Sequence, residues 1–179
     1  EDGVLFDKNK TVLIQFPDGK SGHYSIPDSV ATVGELAFYA SSRLTSVTIP
    51  DSVPRLEKGG FTNCTSLTSM TIPDSVISIG NYAFSDCDSL ASVTIGDSVT
   101  TIGDWAFETC SSLTSVTIGN SVTTIRAYAF RGCSSLASVT LPDSVTTIGH
   151  GAFENCSSLT SMTIPDSVTA IWENVFSGC

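Results

Sequence analysis

A serine recurs seven times at intervals of 23 residues, and a nucleophile is the first chemistry that such regularity suggests. The seven are Ser29, Ser52, Ser75, Ser98, Ser121, Ser144 and Ser167. A nucleophilic serine needs a base within hydrogen-bond reach and an oxyanion hole. The only two histidines, His23 and His150, lie far apart in sequence, and no G-x-S-x-G elbow occurs. The pattern therefore favours a turn residue that bonds backbone groups between repeats.

Six cysteines follow the same interval and raise the question of disulfides or a metal. They are Cys64, Cys87, Cys110, Cys133, Cys156 and Cys179. No C-x-x-C pair occurs, which argues against zinc and thioredoxin-type sites. Equivalent residues on adjacent repeats have parallel Cβ vectors about 4.8 Å apart, longer than the roughly 3.8 Å of a disulfide. We therefore expect a stack of reduced, buried thiols, with Ser41 in the same slot of the first repeat.

An acidic column accompanies the serines. It contains Asp28, Asp51, Asp74, Asp97, Asp143 and Asp166, with Asn120 in the remaining repeat. Ca²⁺ takes roughly six to eight oxygen ligands, and nothing in the pattern supplies the others. We therefore expect no metal and no cofactor, and each aspartate to satisfy its own turn.

Outward-facing hydroxyls form another column on the main strand of each repeat, where a serine stands two residues before each threonine on the same face. The threonines are Thr48, Thr71, Thr94, Thr117, Thr140 and Thr163. The array is similar to the faces of ice-binding solenoids, but threonine is ordinary on exposed strands, and a curved sheet would spoil a match to a flat lattice. Thr71, Thr94, Thr117 and Thr140 remain candidates for contact with a partner.

Three aromatic residues, Tyr82, Trp105 and Tyr128, occupy one position in consecutive repeats. The other repeats carry Leu36, Gly59, Gly151 and Asn174 there. Aromatic rings stacked in the open are common contact points for proteins and sugars. The alternative is that these rings pack against neighbouring corners. Because the frame residues are nearly identical from repeat to repeat, a partner that binds in one register must read such variable positions.

Three N-x-[ST] sequons begin at Asn9, Asn63 and Asn155. They would carry glycans only in a source that glycosylates its secreted proteins. Asn9 is expected to be the most accessible, since it lies in a predicted hairpin turn. Asn63 and Asn155 each precede a cysteine of the buried column and are weaker candidates.

The 23-residue interval defines the elements that position these columns. IPDSV or a close variant starts at positions 26, 49, 72, 95, 118, 141 and 164, and phenylalanine recurs in phase at 38, 61, 84, 107, 130, 153 and 176. Within one unit, Val93 and Ile95 alternate with Thr94 as in a half-buried strand. Positions 96–98 have turn chemistry, a second extended stretch follows at 99–102, and 104–107 is long enough for about one helical turn.

No such unit can bury its apolar face alone, so the units must stack into a right-handed solenoid, roughly 35 Å long for seven coils. We predict a parallel β-sheet on one face and short helical or 3₁₀ corners on the other, over residues 19–179. Residues 1–18 are predicted to form a β-hairpin cap, with strands near 4–6 and 11–16. The predicted core comprises 23-residue equivalents of Leu44, Val47, Ile49, Val53, Leu56 and Phe61.

Leu44, Val47 and Ile49 fit the leucine-rich template, with Ser52 in its asparagine slot. The unit C-x-x-L-x-x-[VM]-x-[IL]-P-x-S-V-x-x-I-G-x-x-A-F-x-x-C, read at 64–87 and 133–156, resembles the BspA-like, Treponema pallidum-type leucine-rich repeats. The resemblance implies cell-surface or secreted display, and adhesion to an extracellular, host or matrix protein, or to a glycan.

The charge balance restricts the partners. With 8 Lys+Arg against 18 Asp+Glu, the formal net charge is −10, which repels phosphate backbones and argues against nucleic acid and anionic membranes. No apolar run approaches the roughly 18 residues that span a bilayer, so we expect no membrane insertion.

These observations favour a non-catalytic binding module, because an extended repeat surface offers contact area and no catalytic constellation is present. Two alternatives stay open: a filament or surface-layer element joined end to end, and an ice-binding solenoid. Cys179 is the residue that opens the leucine-rich strand in other repeats, so we expect a segment of a longer array. Its uncapped last coil is predicted to self-associate.

Overall fold

The structure, a computed structural model, describes residues 3–179; Glu1 and Asp2 of the predicted cap lie outside the described residues. Short strands stack coil on coil, and within the repeats paired strands are offset by 23 residues, as Thr101 and Thr124 or Val93 and Val116 are. They are β1 (Leu5–Phe6), β2 (Val12–Gln15), β3 (Gly22–Ser25), β4 (Thr32–Val33), β5 (Leu44–Thr48), β6 (Arg55–Leu56), β7 (Ser69–Ile72), β8 (Ser78–Ile79), β9 (Ser92–Ile95), β10 (Thr101–Ile102), β11 (Ser115–Thr117), β12 (Thr124–Ile125), β13 (Ser138–Thr140), β14 (Thr147–Ile148), β15 (Ser161–Thr163) and β16 (Ala170–Ile171). The predicted parallel solenoid is confirmed.

Two faces of the solenoid carry β-structure. The leucine-rich strands pair in three groups, β3–β5, β7–β9–β11 and β13–β15. The second extended stretches of the seven coils form a longer sheet, which β1 and β2 of the N-terminal hairpin extend to nine strands in the order β1-β2-β4-β6-β8-β10-β12-β14-β16. The most continuous sheet is therefore built from the two-residue strands and lies beside the predicted one.

The N-terminal hairpin is present and is continuous with the solenoid. β1 pairs antiparallel with β2, and β2 pairs in parallel with β4. At the turn, the Asp7 carboxylate accepts the N–H groups of Val12 and Thr11 at 2.8 and 2.7 Å, and these bonds hold the pKa of Asp7 below its usual range. Phe16 stacks on Phe38 with ring centroids 4.9 Å apart, so the hairpin covers the first coil by joining both its sheet and its core.

The core is organised around a column of phenylalanine rings. From Phe61 to Phe153, neighbouring ring centroids are 5.2–5.3 Å apart and the ring planes differ by only 3–5°. Phe107, in the middle, has no exposed surface. Leu44, Val47, Ile49, Val53, Leu56 and Phe61 are buried as predicted. The prediction is wrong for their equivalents Ile164, Ile171 and Phe176, which are exposed. The last coil is more open, with Phe176 37% exposed.

The cysteines form a ladder of thiols beside the phenylalanines. All six are free, and five of them, from Cys64 to Cys156, are buried. Each thiol donates to the carbonyl of a phenylalanine 26 residues earlier, as Cys110 does to Phe84 at 3.2 Å. The thiols therefore connect coils through hydrogen bonds, and the expected reduced stack is confirmed.

The predicted helical corners are wrong, since no helix occurs between residues 3 and 179. Tyr82, Phe84 and Asp86 donate their N–H groups to carbonyls of the next coil at 2.7–2.9 Å, whereas Ala83 and Ser85 bond three residues back. The φ angles of Tyr82 and Asp86 are +57° and +59°, in the left-handed region. A right-handed helix would need the same amides for its own i−4 carbonyls, so the corner instead forms linked tight turns that bond to the next coil.

Two glycines bring adjacent turns into backbone contact. Gly96 and Gly119 stand where other coils carry proline, such as Pro73 and Pro142. A Cβ built on Gly119 would overlap the carbonyl oxygen of Gly96 and lie 2.6 Å from its carbonyl carbon. No side chain fits there unless the backbone moves.

Gly119→Ala is therefore expected to lower the free energy of unfolding by about 1–3 kcal/mol through overpacking, as measured by urea denaturation. Gly19→Ala is the matched control, because a Cβ on Gly19 meets nothing within 4 Å. Equal effects of the two substitutions would contradict this reading of the turn contact.

Candidate functional site

The strand face presents a row of unused hydroxyl groups. The threonines predicted to face outward are all exposed, namely Thr48, Thr71, Thr94, Thr117, Thr140 and Thr163. On the neighbouring stretch, Thr100, Thr123 and Thr146 donate their hydroxyls to carbonyls of the preceding coil at 3.1–3.2 Å. Thr94 and Thr117 make no such bond within residues 3–179. At the N-terminal end of the row the Thr48 hydroxyl lies 3.4 Å from a ring nitrogen of His23, so the hydroxyls of Thr94 and Thr117, in the middle of the row, are the ones free for a partner.

His23 lies at the N-terminal end of this row, a position that sequence reasoning did not assign to the face. Its ring nitrogens lie 2.8 Å from the Ser46 hydroxyl and 3.0 Å from that of Ser25. The repeat phase is the signal that could have found it, because His23 stands 23 residues before Ser46 and so takes the serine slot of the first coil.

The recurring serines hold the coils together. Ser52, Ser144 and Ser167 donate their hydroxyls to valine carbonyls of the preceding coil at 2.6–2.8 Å. Ser75 makes the same bond at 3.3 Å, and Ser29 bonds the Lys10 carbonyl at 3.1 Å. The predicted inter-coil role is confirmed for Ser52, Ser75, Ser144 and Ser167, whereas Ser29 bonds the N-terminal hairpin.

Two carboxylates of the acidic column bond differently from the prediction. The Asp74 carboxylate accepts the N–H of Asp97 at 2.7 Å, and Asp97 accepts the N–H of Asn120 at 2.9 Å. These two carboxylates bond the next coil and not their own turn, because the adjoining glycines bring the turns together. Among the described residues, no group of three or more His, Cys, Asp or Glu side chains is placed to hold a metal ion.

The aromatic column, Tyr82–Trp105–Tyr128, is a continuous stack. Ring centroids are 5.0 and 5.4 Å apart, with interplanar angles of 3° and 17°. His150 meets Tyr128 edge-on at 5.2 Å, and the Arg131 guanidinium lies 5.8 Å from the Tyr128 ring. All three column residues are half-buried, so their faces pack on one another while part of each ring reaches solvent.

The backbone under this column is strained. Tyr82, Trp105 and Tyr128 have φ angles of +57°, +54° and +57°, which cost bulky residues on the order of 1–3 kcal/mol each. Gly59 and Gly151 occupy the same position in other coils at no such cost. Leu36 and Asn174 have the same conformation, with φ angles of +56° and +59°, so the left-handed backbone belongs to this corner of every coil.

The sequons differ in accessibility. Asn9 is exposed in the hairpin turn, as predicted, and Asn155 is also exposed, whereas Asn63 is half-buried. Asn63 and Asn155 have left-handed φ angles of +60° and +59° and immediately precede buried thiols. Of the three, Asn9 presents its side chain with the least constraint.

The last coil exposes apolar surface. Trp172 is 63% exposed and Ile171 50% exposed. Val175, in contrast, is buried, so the coil shields part of its own core. Cys179 is exposed, although its thiol still donates to the Phe153 carbonyl at 3.1 Å.

This geometry defines a class of protein: a leucine-rich-repeat solenoid whose side-chain columns are set by a 23-residue coil. The BspA type leucine-rich repeat region matches residues 16–72 and 55–179, in six copies. The chain therefore belongs to the BspA-type leucine-rich-repeat family. Between residues 3 and 179 there is no helix with the length and apolar character needed to cross a membrane.

Solved structures of bacterial leucine-rich-repeat proteins have the same fold. A leucine-rich repeat protein from Eubacterium ventriosum is 34% identical with a TM-score of 0.93, over 99% of this chain and 48% of its own. The Treponema pallidum leucine-rich repeat protein is 32% identical with a TM-score of 0.88, over 98% of this chain and 85% of its own. A leucine-rich cell surface protein from Faecalibacterium prausnitzii is 28% identical with a TM-score of 0.63, over 89% of this chain and 57% of its own.

This chain thus spans about half the length of the Eubacterium ventriosum protein. No curated protein matches it significantly.

Proposed function

We propose that this chain is a non-catalytic protein-binding module, displayed at the cell surface or secreted, that binds an extracellular, host or matrix protein. The observation that carries the proposal is the half-exposed, stacked aromatic column Tyr82–Trp105–Tyr128. Large rigid aromatic residues dominate protein-binding hot spots. Surface display is supported by the family and by the description of the Faecalibacterium prausnitzii relative as a cell surface protein.

In this proposal the aromatic column determines at which coils the partner binds, and the hydroxyl row adds contact area to the interface. Thr71, Thr94, Thr117 and Thr140 are the same residue in each coil, so contacts to them do not determine at which coil the partner binds. Free hydroxyls add polar contacts at the rim of an interface. In a source that glycosylates secreted proteins, a glycan on Asn9 would cover neither the aromatic column nor the hydroxyl row, because Asn9 lies on the N-terminal hairpin.

Trp105→Ala is expected to weaken binding to an extracellular-matrix protein by about 2 kcal/mol or more, roughly thirtyfold in Kd. A biosensor panel of purified matrix proteins identifies the partner, and urea unfolding is measured in parallel. Trp105→Phe keeps the stack and is the matched control. If Trp105→Ala greatly lowers stability but leaves the affinity unchanged, the column serves packing and not binding. If the double variant Thr94→Ala/Thr117→Ala loses binding, the binding site lies on the strand face. Failure of every matrix protein to bind would contradict the proposal.

End-to-end assembly is the second candidate function. It is favoured by the exposed apolar side chains of the last coil, Ile171 and Phe176, which a neighbouring coil would cover. Light scattering across a concentration series distinguishes a growing rod from a monomeric binder, and thermal hysteresis tests the ice-binding alternative.

A further inference from the structure

We infer that a cleft on the flank of the solenoid, between Arg126 and Trp172, binds a neutral saccharide. This site is separate from the strand face and does not depend on a protein partner. The cleft has a volume of about 370 Å³, and Asp104, Thr124, Arg126, Thr147, His150 and Trp172 contribute to its lining.

The cleft arises from one variable position in the repeat. Glycine occupies this position in four coils, at Gly34, Gly80, Gly103 and Gly149, and the other three carry Glu57, Arg126 and Trp172. A Cβ on Gly149 would lie 2.6 Å from the backbone of the preceding coil at Arg126, so glycine lets these coils pack directly. Arg126 and Trp172 are two coils apart, about 10 Å. Gly149, in the coil between them, has no side chain to fill the space that separates them.

The indole of Trp172 supplies an apolar wall. Its side chain is 63% exposed, the largest fraction among the exposed large hydrophobic residues of the described chain. His150 lies on the same cleft and meets Tyr128 edge-on, so the cleft begins where the aromatic column ends. Flat aromatic faces bind the C–H faces of sugar rings in the way they bind other apolar surfaces.

The polar side of the cleft determines the class of ligand. An Asp104 carboxylate oxygen lies 3.6 Å from a guanidinium nitrogen of Arg126, and the other accepts the Ala127 N–H at 3.1 Å. The Arg126 guanidinium offers N–H donors beside the Asp104 carboxylate, which accepts, and the pair carries no net charge. Vicinal sugar hydroxyls both donate and accept, and so complement this pair. A charged ligand would find its counter-charge already paired, and an anionic one would also meet the overall charge of −10.

The sequence contains two tryptophans, so the ¹H–¹⁵N spectrum has two indole N–H signals. The signal that is missing in Trp172→Phe belongs to Trp172. The protein is titrated with hexasaccharides of glucose, N-acetylglucosamine and mannose. We expect at least one sugar to shift the Trp172 indole and the amides of Arg126 and Gly149, and to leave the strand-face amides of Thr94 and Thr117 unchanged.

Trp172→Ala and Arg126→Ala are each expected to weaken sugar binding by about tenfold or more. Both side chains are more than half exposed, and folding of each variant is checked by thermal unfolding. Leu5→Ala, 54% exposed and on the remote hairpin, is the matched control and should bind like the parent protein.

The proposal is overturned if none of the hexasaccharides shifts the Trp172 indole, or if the two cleft substitutions leave the affinity unchanged. It is also overturned if an acidic peptide, oligoglutamate, shifts the cleft signals and the sugars do not, because the site would then recognise charge. The protein-binding proposal is tested with a matrix protein and Trp105→Ala, and the cleft with sugars and Trp172→Ala in the otherwise unchanged protein, so failure of one proposal can be distinguished from failure of the other.

Discussion

Replacing Phe107 by alanine is expected to lower the free energy of unfolding by about 3–5 kcal/mol. Phe107 has no exposed surface and stacks between Phe84 and Phe130 with centroids 5.2 Å away on both sides. The substitution removes the ring and leaves a cavity that the adjoining coils cannot fill, since their rings are held in register by the strands. Because each coil contacts only its neighbours, two inter-coil interfaces weaken together.

Urea denaturation at constant pH measures this loss. Phe176→Ala is the matched control, because the same residue type lies at the end of the same column, is 37% exposed and has its one stacking partner 6.1 Å away. Its effect should be clearly smaller. A Phe107→Ala protein as stable as Phe176→Ala would show that the column does not support the stack.

Raising the pH above about 9 is expected to destabilise the protein steeply. Burial raises the pKa of the Cys110 and Cys133 thiols well above their usual range, and that of Cys156 to about 12. In the unfolded chain these thiols ionise near their ordinary pKa of about 8.5. The folded pKa is the higher one, so stability is complete below the unfolded value and is lost as the pH rises toward the folded value.

The expected slope is about 1.4 kcal/mol per pH unit for each thiol, or roughly 4 kcal/mol per unit for the three together. For Cys156 this loss continues to about pH 12. Urea unfolding at neutral pH and at two alkaline values measures the slope. A variant with alanine at Cys110, Cys133 and Cys156 is the control: it should be less stable at neutral pH, where packing is lost, but should lose less stability with pH. Equal slopes would contradict the assignment.

The core could be predicted from the sequence because, in a stack of equal coils, residues at the same position of the 23-residue repeat are buried together. Phe61 and Phe107 recur 23 or a multiple of 23 residues apart, and any stacked coil that keeps this register buries them. The same phase aligned the thiols of Cys64 and Cys87 with parallel Cβ vectors, which excludes a disulfide whatever the details of the coil.

The candidate site was predictable only in part. Tyr82, Trp105 and Tyr128 were recognisable as a column because the copies differ there, and their stacking follows from the coil spacing. Their left-handed backbone was not predictable, because bulky residues rarely adopt positive φ. The cleft between Arg126 and Trp172 was also not predicted, since it depends on the open space above Gly149.

The sequence by itself determined the coil length, the buried columns and the outward hydroxyls, because these depend only on which side chains recur in phase. Tertiary structure alone decided where the backbone hydrogen bonds go. The amides of Tyr82 and Phe84 bond the next coil, so the corners are not helical; the Asp74 carboxylate likewise bonds the next turn. These choices depend on how closely the neighbouring coil approaches, a distance that the pattern of a single coil does not contain.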